Sequence, residues 1–527
     1  MEKNYNNEKN EIKRKKLHEF GADTAKSGIL LTFGEIISSI LTLLLLIFLA
    51  RLLQPTDFGI YSIAIAFAAF LGLAGNFGIG TAFRKIIPQI EKDKSKIGAV
   101  LTNGYFISLT LSLILLIIGA FSSNFIATTI YKNENLIDFL ILASFIQFFT
   151  VLFNLSKAAL TSFNRIKEVI IGDILYSGSQ LLLVIILVLM GFGIIGALVG
   201  FIISLILASA LYLFWLFSKI KINISGINKK EVSELTKFSA PVIASNLAIS
   251  GIQNFSILLL GVFSLPILLG NYSAAYRLSR LIEIIIQALS FILLGAFSKA
   301  VVNKNFTNKV NSIYNGSIYY TFLIILPLII YIISVISPLV TILISKVYLY
   351  APLYALIMMI GMTLEVISIY AGNLLLSYGH SKSFMKYQLL FAAIQFILLV
   401  ALVPLFSTMG AIIALFVIAP IIGDLIYIFA LKKKLNIEHR FAKIFKMTTA
   451  SVLTLIILEF VTIILNNSKF TILTNLAILI IIYPPIVVLC KGVNKKDIEF
   501  LKVIGDKIKI LKPVINYFMI YFEIFLR

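Results

Sequence analysis

Four side chains that could do chemistry sit within one apolar run: Arg277, Arg280, Glu283 and Gln287. At 100° per residue they fall on a single helical face about 120° wide. A charge at the middle of a bilayer costs about 2.5 to 3.5 kcal/mol by insertion scales, so such a face turns toward water or a partner. Two guanidiniums on it suit the capture of a pyrophosphate or an acidic sugar. The plainer alternative has Arg277 snorkelling to the outer surface while Arg280 pairs with Glu283.

Other polar residues inside apolar runs are candidates too. Glu365 lies near the middle of its run, with Asn373 two turns on, and a carboxylate at that depth is either a proton or sodium coupling group or the counter-charge of an arginine. Asp424 and Glu35 lie near inner ends and are the other coupling candidates, with simple hydration as the alternative. Arg51 and Arg84 stand at helix ends, where anchoring competes with substrate contact. Asn76, Asn246, Gln253 and Asn254 suit hydrogen bonding between helices, with sugar hydroxyls as a further use for Asn76 and Asn254. Cys490 is the single cysteine, so no intrachain disulfide or thiolate metal site is available, and His18, His380 and His439 fall in polar connections. No catalytic residue, metal site or cofactor is expected, and no Gly-x-x-x-x-Gly-Lys loop occurs to bind ATP.

The elements that must position these groups follow from composition. Of 527 residues, 60% are hydrophobic and 13% charged, and the mean hydropathy is +1.01. Soluble domains carry about 25% charged residues. The spacing predicts an all-α polytopic membrane protein of about fourteen transmembrane helices, near 29–51, 58–82, 97–121, 137–156, 169–190, 193–217, 240–263, 273–297, 313–336, 351–376, 384–404, 409–431, 445–465 and 470–490. Lysine and arginine concentrate in alternate connections, 39 of the 45 against 3, which places both termini in the cytoplasm of a cell membrane. The net charge of +21 is therefore read as orientation and contact with anionic membrane lipid, not as nucleic-acid binding. The chain divides into a basic segment 1–28, a six-helix lobe 29–217, a linker 218–238, a second six-helix lobe 239–431, two further helices 432–490 and a basic amphipathic tail 491–527.

In the first hairpin turn, Gln54-Pro55-Thr56-Asp57-Phe58-Gly59, Pro55 fixes φ, Thr56 or Asp57 is expected to cap the next helix, and Gly59 lets the backbones approach closely. The turn also recurs: Pro55, Gly59, Tyr61, Ser62 and Ala64 reappear as Pro266, Gly270, Tyr272, Ser273 and Ala275. Gln180 likewise reappears as Gln395, and Gly193 to Leu198 as Gly410 to Leu415. A displacement of six spans implies two lobes of like orientation in parallel repeat, with a cleft between them.

The run Phe48-Leu49-Ala50-Arg51-Leu52-Leu53-Gln54-Pro55-Thr56-Asp57-Phe58-Gly59-Ile60-Tyr61 resembles the opening signature of the oligosaccharide and polysaccharide flippases, within the multidrug/oligosaccharidyl-lipid/polysaccharide exporter superfamily. Gly78-Ile79-Gly80-Thr81-Ala82 with Arg84 is similar to that family's close of span two, and Tyr272-Ser273-Ala274-Ala275-Tyr276-Arg277-Leu278 to its span-eight motif. The resemblance implies a flippase that carries an isoprenoid-pyrophosphate-linked oligosaccharide to the outer leaflet by alternating access. Its implied partners are that lipid-linked oligosaccharide, membrane lipids and other polysaccharide-assembly membrane proteins. Rival readings are an ion-coupled drug or solute exporter, which would want a smaller, more acidic and aromatic cavity, and a membrane-embedded glycan polymerase or glycosyltransferase. The polymerase needs a large outer loop with catalytic groups, and the outer connections 122–136 and 337–350 hold only Lys132, Glu134 and Lys346.

Overall fold

The structure is a computed structural model and describes residues 2–75, 77–90, 93–219, 233, 235–236, 250–301, 307–465, 470–494 and 497. Regular structure among them is entirely helical, as the apolar runs predict. Nine segments among the described residues are long and apolar enough to cross a membrane. Three of those, Gly34–Gly75, Ile166–Ser218 and Ser381–Leu435, contain residues at positive φ in mid-course and so read as two spans each. Their outward faces carry phenylalanine, leucine and isoleucine, among them Phe121, Ile118, Leu182, Phe214, Phe429 and Ile463. Lipid solvates such surfaces, and the helices satisfy their own backbone groups.

The chain packs as two units, Met1–Val262 and Phe263–Arg527. The first contains α1 (Glu2–Gly75), α2 (Ile79–Ile86), α3 (Lys94–Phe125), α4 (Leu136–Ser162), α5 (Ile166–Leu187), α6 (Gly193–Lys219) and, to Val262, α7 (Ile252–Phe263). Here α4 packs against α1, α3 and α6, and α5 against α1 and α6. Tyr131, after α3, donates to Leu258 O at 3.0 Å and so holds α7 to this unit. The linker 218–238 and the first half of span seven, including Asn246, lie mostly outside the described residues.

Two local findings refine the expected turns. The break in α1 falls at Gln54 (φ 60, ψ 174), and the helix resumes on Pro55, whose missing N–H needs no partner there. Thr56 and Asp57 consequently stand inside the first turn and are not its cap, although an acid there still suits the helix dipole. The second span ends at Gly75 and restarts at Ile79 through Gly78, whose φ of 64 is a left-handed conformation glycine adopts freely. A Cβ on Gly80 would lie 3.0 Å from Ala158 Cβ, so the Gly-Ile-Gly motif is explained by a turn and a close helix contact.

The second unit contains α8 (Pro266–Val301), α9 (Thr307–Leu343), α10 (Ala351–Leu364), α11 (Val366–Ser377), α12 (Ser381–Ile412), α13 (Ala419–Leu435), α14 (Ala442–Ile464) and α15 (Phe470–Leu489). The repeat is visible in side-chain environment. Pro55 and Pro266 both open a helix, and Tyr61, Ser62 and Ala64 are as fully buried as Tyr272, Ser273 and Ala275. The last two helices are tied to α9 by polar contacts: Asn475 Nδ2 donates to Thr462 Oγ1 at 2.8 Å and Ser334 Oγ at 3.1 Å, and Tyr331 donates to Ile472 O at 3.1 Å. At the end of the described chain, Lys443 pairs with Asp497 at 2.9 Å over the ring of Tyr319. The tail past Asp497 lies outside the described residues.

Candidate functional site

In the second unit α8 carries the charged face. Arg280 Nε lies 3.3 Å from Glu283 Oε2, with the arginine side chain 56% exposed and the glutamate 27%. Arg280 thus makes the pair of the plainer reading while much of its guanidinium stays open. Arg277, one turn earlier, is half-buried, and its charge bears on Tyr348 in the connection after α9. Burial pushes that phenol up and Arg277 draws it partly back. Gln287 is exposed. Tyr276 turns inward, its ring 6.2 Å from Phe416, and its hydroxyl is buried with no hydrogen-bond partner among the described residues.

The interior of this unit gathers carboxylates. Glu365 sits where α10 gives way to α11, with φ −62 and ψ −10, and the charges of Glu283 and Asp424 both bear on it. Asp424, buried on α13, accepts the backbone N–H of Ser368 at 3.0 Å. Ser368 is in the first turn of α11, whose N–H groups have no helical partner because the helix has just been interrupted. Asp424 therefore caps α11 from a neighbouring helix. Asn373, a turn and a half on, donates to Ser290 Oγ of α8 at 2.6 Å. Among the described residues no three such groups are close enough to hold a metal ion. Beside them Tyr314 of α9 contacts the Ile367 carbonyl at 3.4 Å and His439 Nε2 at 3.1 Å.

The remaining candidates are dispersed in the first unit. Arg84 is exposed in the last turn of α2, and Arg51 and Glu35 are exposed on α1. Asn254 donates to Ser250 O at 3.0 Å, just before its own helix, Gln253 is exposed, and Asn76 lies outside the described residues.

One group was not singled out from sequence. Lys157, counted there with the basic connection 157–168, stands inside α4, and its Nζ lies 2.7 Å from Asp173 Oδ2 of α5. Tyr212 of α6 donates to Asp173 Oδ1 at 2.8 Å. A lysine a few residues inside the end of an apolar run reads as a boundary charge, and only the helix extending to Ser162 corrects that. The signal that was available is Asp173, an acid four residues into the span expected over 169–190.

Comparison with known proteins bears on the whole arrangement. A family described as "Polysaccharide biosynthesis protein" matches residues 48–353. No curated protein matches. Among solved structures, the lipid II flippase MurJ in an inward closed conformation superposes with a TM-score of 0.72 at 18% identity, covering 88% of this chain and 98% of that one. An inward-facing multidrug resistance MATE family transporter of the MOP superfamily gives 0.62 at 17%, covering 77% and 99%. A MOP superfamily transporter from Pyrococcus furiosus, reported with reversed polarity of its binding pocket, gives 0.52 at 17%, covering 79% and 96%. The fold is that of the MOP-superfamily transporters. The family match spans more than half of the chain, and this multi-pass membrane protein belongs to the polysaccharide biosynthesis protein family.

Proposed function

We propose that the protein is a flippase for a lipid-linked oligosaccharide, moving an isoprenoid-pyrophosphate carrier and its glycan from the cytoplasmic to the outer leaflet of the cell membrane. The observation that carries this reading is the open guanidinium of Arg280. It stands about 21 Å along α8 at 1.5 Å per residue, and its side chain is 56% exposed on the surface of the second unit. Acyl chains against that surface would cost about 2.5 to 3.5 kcal/mol, so water or an anion is the fitting neighbour. Arg277, Arg280 and Gln287 would bind the pyrophosphate and its first sugar, with Glu283 holding Arg280 in place. Arg84, Asn76 and Asn254 are the substrate-contact candidates that the first half of the sequence offers. Both termini are assigned to the cytoplasm by the charge alternation.

The driving step is assigned to Glu365 and Asp424. A proton or sodium ion that neutralises Asp424 would weaken the cap on α11 and change how it meets α10, which supplies a two-state element for alternating access. Glu35, exposed on α1, is the weakest of the three coupling candidates.

Reconstituted vesicles holding a defined isoprenyl-pyrophosphate oligosaccharide test this reading, with translocation followed by outer-leaflet accessibility of the glycan. Wild type should translocate, Arg280→Ala should lose it while inserting normally, and Glu365→Gln should lose dependence on an imposed ion gradient. Normal translocation by Arg280→Ala would remove the basis of the reading. Export of a cationic dye without glycan movement would favour the solute exporter.

A further inference from the structure

Lys157, Asp173 and Tyr212 stand where the second unit has Gly372, Gln388 and Tyr427, each 215 residues later. The correspondence is one of contacts as well as numbers. Tyr427 donates to Gln388 Oε1 at 3.3 Å as Tyr212 does to Asp173 Oδ1 at 2.8 Å. A Cβ built on Gly372 would fall 3.9 Å from Tyr427 Cε1, so Gly372 lies at the ring as expected. On the same scaffold, then, a neutral amide takes the packing role of Asp173 with no lysine present. Withdrawing two ions from water is unfavourable, and replacing such a pair by neutral side chains of similar volume is often as stable. The second unit makes the corresponding contact without either charge, which leaves the pair of the first unit available for function.

Exposure distinguishes the two ions. The Asp173 side chain is 9% exposed and that of Lys157 is 32%, so an anion arriving from outside meets the ammonium first. If the lysine departs, the Tyr212 hydroxyl remains on the carboxylate. The surroundings suit a ligand. Thr150, Asn154, Ala68, Gly72 and Phe201 line a cleft of about 250 Å³ in the first unit. Thr150, Asn154 and Lys157 fall within about 60° of one another on α4, and Lys157 lies about 4.5 Å beyond Asn154 along the axis. Lys157 does not itself line the cleft and stands one turn past Asn154 on the same helix, toward Ser162. From Phe201 a row of rings runs back to the ion pair, with centroids 6.3 Å apart to Tyr176, 4.8 Å to Phe153 and 5.3 Å to Tyr212.

We propose that Lys157 is an exchangeable anion ligand, leaving Asp173 for a phosphate or pyrophosphate group that enters the cleft of the first unit while Tyr212 holds the vacated carboxylate. The substrate class rests on the flippase reading. The exchange itself rests on the pair, its exposure and its neutral copy.

The test uses full-length protein in phosphatidylcholine nanodiscs titrated with farnesyl pyrophosphate, with farnesol as the phosphate-free control. Lys157→Gln should weaken binding about tenfold, the loss of one charge-assisted contact. Asp173→Gln, which copies the second unit and keeps an acceptor for Tyr212, should tighten binding because it removes the competitor. The double variant should follow Lys157→Gln. A merely structural tie would move both single variants in the same direction. Shifts of the same sign, or binding that neither variant changes, would overturn the exchange and leave the flippase reading standing. Failure of wild type to bind farnesyl pyrophosphate more tightly than farnesol would count against both. Competition from phosphatidylglycerol that disappears in Lys157→Gln would identify a phospholipid headgroup as the anion, and its absence would identify the isoprenoid carrier.

Discussion

Asp424 is where a structural and a transport role can be separated by chemistry. Its carboxylate accepts the Ser368 N–H at 3.0 Å and is itself 8% exposed. Asp424→Asn keeps an oxygen acceptor at the same place and removes the charge, whereas Asp424→Ala removes the acceptor and orphans a buried N–H. Hydrogen bonds between neutral groups in membrane proteins average about 0.6 kcal/mol, so the asparagine should lose no more than about 1 kcal/mol. Losing a charge-assisted bond is worth about 1.5 to 3 kcal/mol, and an unsatisfied buried donor costs about 1 to 3 kcal/mol, with partial overlap between the two. The alanine should therefore lose about 2 to 4 kcal/mol. Thermal unfolding of detergent-solubilised protein measures the stability, and vesicle translocation with and without an ion gradient measures coupling. The expected pattern is a nearly native midpoint with lost coupling for asparagine, and a depressed midpoint for alanine. Equal midpoints for the two variants would refute the trans-cap, and full coupling in Asp424→Asn would refute the assigned role.

Further outcomes follow from contacts elsewhere. A Cβ on Gly361 would lie 2.0 Å from Phe416 O, a backbone atom with little freedom to retreat, so Gly361→Ala should lower stability by about 1 to 3 kcal/mol in the same unfolding assay. An unchanged midpoint would show that α10 does not lie against that backbone. Asn475→Leu should cost about 0.6 to 1.7 kcal/mol by releasing α15 from Thr462 and Ser334, with greater protease access to the 465–470 connection as its readout. Burial holds the His439 imidazole below its ordinary value. The folded chain then binds fewer protons than the unfolded one, so this contribution is complete above about pH 6.5 and is lost as pH falls toward the folded value. The protection factor of the Arg440 amide, which donates to Asn315 Oδ1 at 2.9 Å, should fall on acidification once the intrinsic exchange rate is divided out, and His439→Phe should flatten that dependence.

Much of this architecture was legible in one dimension because a bilayer imposes a one-dimensional rule. Runs of about 20 apolar residues must be helices, since lipid offers no partner for an open backbone, and the connections reveal themselves by charge. The hairpin at Pro55 and its copy at Pro266 were readable for a similar reason, because proline acts on its own backbone and needs no distant partner. The Arg280–Glu283 pair was foreseeable too, since residues three apart on a helix are neighbours by geometry alone.

What tertiary structure decided is which distant groups meet. Asp424 and Ser368 are 56 residues apart, and hydropathy assigns both to helices without saying that one interrupts itself beside the other. The cap at Thr56 or Asp57 was misplaced because the break fell two or three residues earlier, at Gln54, so that the helix already runs through both. Lys157 read as a boundary charge, since a lysine near a helix end has the same sequence signature whether it reaches solvent or a buried acid on the next helix. The sequence alone determined a membrane-spanning helical chain, its segments and its duplicated pattern. Tertiary structure decided which charges are paired and which stay open, because pairing depends on side-chain directions across helices, and spacing along a single helix does not constrain those.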